Sequence, residues 1–69
     1  MVSEAPRRRR LDHEERRAEI VAAATELFSE RHYAEVSIAA IAERAGVAKG
    51  LLHHYFDSKR DLYLAVLRE

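Results

Sequence analysis

The chain has 69 residues, which is enough for one small domain and leaves little room for a ligand pocket. Its 12 basic and 12 acidic residues give no net charge, and the absence of cysteine excludes disulfides and thiolate metal sites and fits a cytoplasmic location. No apolar run approaches the ~20 residues that span a bilayer, and no apolar segment follows the N-terminal arginines, so we expect neither a membrane contact nor a secretory signal.

Residues 1–11 show no periodicity and contain Pro6 and four consecutive arginines, which predicts a flexible basic N-terminal arm. Two interpretations are open for this arm. It is a solvated tail, or it lies along DNA phosphates or in a minor groove, where arginine meets a strong negative potential. In the second case the contacts come from Arg7, Arg8, Arg9 and Arg10.

The first helix is predicted over residues 12–30. Asp12 and Glu15 have the spacing of a capping box, with Asp in place of Ser or Thr. One apolar stripe follows at helical spacing and consists of Ile20, Ala23, Ala24, Leu27 and Phe28. This pattern indicates a scaffold helix that covers a small core.

The second helix is predicted over residues 38–45, and it forms a helix-turn-helix with the third. Ser37 stands where a hydroxyl caps the first turn, and Gly46 stands where a helix ends in a left-handed residue. Apolar residues recur at one face, namely Ile38, Ile41, Ala42 and Ala45. Ser37 has two open roles, as a helix cap alone or also as a hydroxyl donor to a phosphate at the helix N-terminus.

The third helix is predicted over residues 48–55, with Val47, Leu52 and Phe56 facing the core. Its outer face carries an unusual mixture of side chains, namely Lys49, Gly50, Leu51, His53 and His54. A lysine contacts a guanine edge or a phosphate, a glycine allows close backbone approach, and an exposed leucine fits a thymine methyl group. His53 can hydrogen-bond a base or a phosphate, while His54 and Tyr55 are expected at the DNA backbone.

A fourth helix is predicted to start within residues 58–69, because Ser58 and Asp61 have capping-box spacing. Lys59 then lies in its first turn, where the helix dipole disfavours a cation unless an anion is bound beside it. The run from Leu62 to Leu67 is apolar on all sides, and Leu64 and Leu67 are left without cover. We therefore expect a fragment whose fourth helix packs against a larger, absent C-terminal domain.

The charges are unevenly distributed although they cancel overall. Residues 18–43 carry five acids and one base, whereas residues 44–60 carry four bases and one acid. A positive face steers a polyanion even when the net charge is zero.

Metal binding and catalysis are not expected. His53 and His54 are adjacent, so they point about 100° apart on a helix, and His13 and His32 are distant in sequence. No nucleophile–base pair, carboxylate pair or phosphate-binding glycine loop is present. We therefore predict no enzyme activity, no cofactor and no metal.

The stretch AERAGVAKGLLHHYFDSKRDL resembles the DNA-binding segment of the tetracycline-repressor (TetR) family of bacterial transcription regulators. The resemblance extends over residues 15–69. It implies an all-α, homeodomain-like three-helix bundle over residues 12–57, followed by the start of a fourth helix. It also implies a sequence-specific domain that binds a palindromic operator through residues 48–55, in a homodimeric regulator, most often a repressor, that a small-molecule effector releases.

The same resemblance assigns the DNA contacts. Base contacts are expected from Lys49, Gly50, Leu51 and His53. Phosphate contacts are expected from Ser37, His54, Tyr55 and Lys59, in addition to the arginine arm.

Three positions depart from the family pattern. His32 replaces a common glycine and is expected to accept a left-handed backbone, and Ala48 replaces a capping Ser or Thr. His53 replaces a common tyrosine, so the base preference of the family does not carry over.

The alternative hypothesis is a helical protein–protein interaction module. In it Leu51, Leu64 and Leu67 form an apolar contact surface that needs no nucleic acid. The bases Lys49, Lys59 and Arg60 would border that surface and argue against it.

Overall fold

The computed structural model describes the backbone of residues 4–68 and the side chains of residues 12–68. Its elements are helix α1 (Glu4–Glu30), a short 3-10 helix (Tyr33–Glu35), and helices α2 (Ile38–Ala45), α3 (Lys49–Tyr55) and α4 (Lys59–Arg68). No strand occurs within the described backbone, which confirms the all-α prediction. No helix in this part of the chain is long and apolar enough to cross a membrane.

Helix α1 begins at Glu4, eight residues before the predicted start at Asp12. Pro6 is compatible with this start because the first-turn N–H groups of a helix have no intrahelical partner to lose. Since the helix runs through Asp12, the capping box predicted for Asp12 and Glu15 is wrong. The side chains of residues 1–11 lie outside the described residues, so phosphate contact by Arg7, Arg8, Arg9 and Arg10 stays a prediction.

The core forms where α1 packs against α2 and α4, while α3 packs against α2. The largest fully buried side chains come one from each of the four helices: Ile20, Ile41, Leu52 and Leu62. The predicted stripe of α1 is confirmed at Ile20, Ala23, Ala24 and Leu27, with Phe28 partly buried against the same core. The three-helix bundle with an added fourth helix therefore has one continuous apolar centre.

The connection between α1 and α2 differs from the prediction at His32. This residue has φ −65° and ψ 149°, an extended conformation, and no described residue other than glycine has a positive φ. The chain turns through the 3-10 helix instead, in which the Glu35 N–H donates to the His32 carbonyl at 2.9 Å. A glycine is unnecessary here because the turn is made without a left-handed residue.

The two residues that were predicted to begin and end α2 act as expected. The Ser37 hydroxyl accepts a hydrogen bond from the Ala40 N–H at 3.0 Å, and Gly46 ends the helix with φ 77°. The Val47 N–H then donates to the Ala42 carbonyl at 3.0 Å, which closes the turn. This turn sets the direction in which α3 leaves α2.

The remaining helix starts lie within one residue of their predictions. Helix α3 begins at Lys49, with Ala48 as an extended cap residue that offers no side-chain hydrogen bond. Helix α4 begins at Lys59, and the Ser58 hydroxyl accepts from the Asp61 N–H at 3.1 Å. Leu64 and Leu67 of α4 are exposed, as the sequence predicts, at 41% and 63%.

Candidate nucleic-acid interface

Helix α3 separates its side chains into an inner and an outer face. Leu52 is fully buried, while Lys49, Gly50, His53 and His54 are exposed on the outer side. The predicted base-contacting residues therefore lie on one short helix, with Leu51 and Tyr55 half-buried at its edges. The prediction that Leu51 is exposed is wrong, because the structure covers part of its side chain.

Gly50 has no function in the packing of the domain itself. A Cβ atom built at this position meets nothing within 4 Å, and the backbone φ is not positive. Neither space nor conformation therefore requires a glycine here. An external surface that approaches the helix closely would require one.

One ring nitrogen of His53 is hydrogen-bonded within the chain. Its Nδ1 lies 3.1 Å from the carbonyl oxygen of Phe56, so an Nδ1–H tautomer donates to that oxygen. This contact orients the ring and leaves Nε2 as an acceptor. His53 is exposed, so that acceptor is accessible to a donor on a base edge.

The C-terminal end of α3 is supported by α1. The His13 ring lies against the Tyr55 ring with centroids 4.6 Å apart and the planes tilted by 42°, and the Arg17 guanidinium lies 5.1 Å from the centre of the Phe56 ring. Sequence reasoning treated α1 as scaffold and missed both contacts. The i, i+4 spacing of His13 and Arg17, which places them on one helix face, was the available signal.

The Lys59 ammonium is held by Tyr33, the first residue of the 3-10 helix after α1. Its Nζ donates to the Tyr33 carbonyl at 2.9 Å and lies 4.2 Å from the centre of the Tyr33 ring. The cation in the first turn of α4 therefore has two electron-rich partners in the unbound chain. An ammonium has three N–H donors, so this arrangement leaves capacity for a phosphate oxygen.

The Ser37 hydroxyl can serve both of its predicted roles. It accepts from the Ala40 N–H, and its own hydrogen stays available to a phosphate at the exposed N-terminus of α2. The cap uses the hydroxyl oxygen as an acceptor, and a phosphate contact would use the hydroxyl hydrogen as a donor.

Arg44 does not contribute to the positive face as the charge pattern suggested. Its guanidinium pairs with Glu26 at 2.9 Å and with Glu30 at 3.3 Å, both on α1. The hydrogen bonds that Arg44 donates to Glu30 and, to a smaller extent, to Glu26 raise the pKa of Arg44 above its ordinary value. The bases that remain in residues 44–60 are Lys49, Lys59 and Arg60.

The side chains of residues 12–68 include no group of three or more histidines or carboxylates placed to hold a metal ion.

Comparison with known proteins gives a consistent result. The family model described as "Bacterial regulatory proteins, tetR family" matches residues 20–66. The chain is 48% identical over 59 residues to the HTH-type transcriptional activator FasR of Mycolicibacterium smegmatis, a match that covers 86% of this chain and 27% of that protein. It is 46% identical over 55 residues to the HTH-type transcriptional regulator HbdR of Aromatoleum sp., which covers 80% of this chain and 24% of that protein.

A solved structure supports the same relationship. The crystal structure of a tetR-family transcriptional regulator from Streptomyces coelicolor aligns with a TM-score of 0.76 at 48% sequence identity. The alignment covers 78% of this chain and 24% of that one. The chain thus spans about a quarter of the length of the proteins it matches.

Proposed function

The chain belongs to the tetR family of bacterial regulatory proteins and is a DNA-binding regulatory domain, and we propose that α3 enters the major groove of a palindromic operator. In this proposal Lys49, Gly50, Leu51 and His53 contact base edges. Lys49 donates to guanine or to a phosphate, and the half-buried Leu51 meets a thymine methyl group.

The outer face of α3 is the observation that carries the proposal. It exposes a cation, a glycine without an internal purpose and two imidazoles, while Leu52 fixes the opposite face in the core. A helix held in this way can enter a groove about 12 Å wide without loss of its packing.

Phosphate contacts around α3 set its register on the duplex. We assign them to Ser37 at the start of α2, to His54 and Tyr55 at the end of α3, and to Lys59 at the start of α4. Arg7, Arg8, Arg9 and Arg10, near the start of α1, add further phosphate contacts. Such contacts supply affinity and orientation but carry no direct sequence information.

For the whole protein we propose a cytoplasmic homodimer in which a C-terminal domain packs on α4 and binds a small effector that releases the operator. The exposure of Leu64 and Leu67 supports this arrangement, because an apolar helix face is stabilised by a covering domain. Repression is the proposed direction. The relative FasR is named an activator, so the domain itself is compatible with either direction.

An amide chemical-shift titration with a mixed pool of short duplex DNA at low salt tests the proposal without knowledge of the operator. We expect salt-reversible shifts at Ser37, in residues 49–55 and at Lys59, since phosphate binding weakens steeply with salt. Salt-insensitive shifts centred on Leu51, Leu64 and Leu67, or no response in α3, would contradict it. That outcome would favour the protein–protein module instead.

A further inference from the structure

Tyr33 has an unexpected position for a residue in a surface connection. It begins the 3-10 helix after α1, yet its carbonyl and its ring both contact the Lys59 ammonium, 26 positions later in the chain. A cation at the start of α4 is destabilised by the helix dipole, and both Tyr33 contacts offset that effect.

The Tyr33 ring is itself fixed by two other rings. It stacks on Phe28 of α1 with centroids 5.6 Å apart, and Tyr63 of α4 meets it edge-on at 4.9 Å. Phe28 and Tyr63 contact each other at 5.0 Å. This aromatic cluster of Phe28, Tyr33 and Tyr63 joins three elements of the fold, so the place of the ring does not depend on the loop alone.

We propose that Tyr33 is a positioning residue for DNA binding, which holds the Lys59 ammonium in place for a backbone phosphate. The inference rests on the proposed function of Lys59. A lysine on the surface loses side-chain freedom when it binds, and a lysine already held in one place loses less. The Tyr33 carbonyl takes one of its donors and the ring face stabilises its charge, while the remaining donor capacity serves the phosphate.

A double-mutant cycle tests the coupling between the two residues. The variants Y33L, K59Q and Y33L/K59Q are compared with the unchanged chain for binding to a mixed-sequence short duplex over a range of salt concentrations. Y33L removes the ring but keeps the backbone carbonyl. We expect Y33L to weaken binding about two- to fivefold when Lys59 is present and not at all in the K59Q background.

The conservative variant Y33F keeps the ring and is expected to restore the original affinity. Equal weakening by Y33L with and without Lys59 would assign Tyr33 a purely structural role and overturn the inference. Unchanged affinity in Y33L would overturn it as well.

The cycle separates the failure of this inference from that of the proposed function. If K59Q changes neither affinity nor salt slope, the phosphate contact of Lys59 fails, and the inference fails with it. If K59Q weakens binding on all sequences and lowers the salt slope by about one while Y33L has no effect, only the positioning role is lost.

A measurement on the unchanged chain covers the case in which Y33L does not fold. The Lys59 Nζ lies over the Tyr33 ring, 4.2 Å from its centre, so the resonances of the protons on the adjoining Cε should be shifted upfield by the ring current. They should shift further when the duplex is added and return when salt is raised. Resonances at the values of an unstructured lysine would overturn the inference.

Discussion

The two glycines of the helix-turn-helix differ at the level of the single residue. Gly46 has φ 77°, a conformation that residues with a Cβ atom rarely adopt, although a Cβ there would meet nothing within 4 Å. Its requirement is therefore conformational and not spatial. Gly50 has neither requirement, so we attribute this glycine to close contact with a surface outside the domain.

Replacing Gly46 by Ala is expected to lower the free energy of unfolding by about 1–2 kcal/mol, because the left-handed conformation is unfavourable for an L-residue with a Cβ. Urea denaturation measures this change. Gly46→Asn is the matched control and should lose less, since asparagine tolerates this conformation. Equal loss in the two variants would indicate crowding, against the open space around the site.

Replacing Gly50 by Ala should have opposite effects on stability and on binding. Removal of a helical glycine is expected to raise the free energy of unfolding by about 0.5–1 kcal/mol. The added methyl group should weaken binding to duplex DNA, because it blocks close approach of the α3 backbone to the groove. Urea denaturation and a binding titration on the same variant test the two expectations, and unchanged binding would remove Gly50 from the base-contacting set.

At the level of the element, the three short helices differ in how they begin. Ser37 and Ser58 cap α2 and α4 with hydroxyl groups, whereas Ala48 leaves the first N–H groups of α3 without a side-chain acceptor. The backbone of Ala48, with φ −70° and ψ 149°, already has the extended conformation of a cap residue. A hydroxyl placed there needs no rearrangement.

We therefore expect Ala48→Ser to stabilise the domain by about 1 kcal/mol and Ser37→Ala to destabilise it by a similar amount. Urea denaturation measures both changes in stability, which should move the midpoint of the unfolding curve and leave its slope unchanged. Ser58→Ala serves as the matched comparison at α4. A neutral effect of Ala48→Ser would mean that the N–H groups of α3 are already satisfied by solvent.

Local signals in the sequence determine which elements could be predicted. The bounds of α2 follow from Ser37 and Gly46, two residues whose chemistry acts within one helical turn. The start of α1 was missed because residues 1–11 have no apolar periodicity and contain Pro6, although a proline in the first turn is compatible with a helix.

Contacts between distant residues could not be predicted in the same way. Arg44 counted as a free cation because nothing near it in sequence revealed Glu26 and Glu30. The i, i+4 spacing of these glutamates places both carboxylates on one face of α1, but the crossing of α2 over that face is a tertiary fact. The same holds for Lys59 and Tyr33, and for the partial burial of Leu51.

At the level of the whole molecule, α4 carries both a core face and an exposed apolar face. Leu62 is fully buried in the centre of the bundle, while Leu67 is 63% exposed. A small domain has a thin core, so each fully buried leucine contributes a large part of its stability. The exposed face contributes little within this chain.

Replacing Leu62 by Ala is expected to destabilise the domain by about 2–5 kcal/mol, through lost burial and the cavity that remains. Leu67→Ala, the same chemical change on the same helix, should alter stability by no more than about 0.5 kcal/mol. Thermal or urea unfolding of the two variants measures the contrast. A large effect at Leu67 would show that its side chain is buried, either within one copy of the chain or between two copies.

The exposed leucines of α4 also bear on how the isolated chain behaves at high concentration. Its isoelectric point is about 6.9, so near neutral pH the molecules carry little charge to keep them apart. Low net charge combined with an uncovered apolar stripe promotes self-association and precipitation. Since the chain has four histidines and only two lysines, it gains charge faster below its isoelectric point than above it. Buffers one or two pH units below neutrality should therefore keep the chain dispersed, and light scattering across that range should be lowest furthest from the isoelectric point.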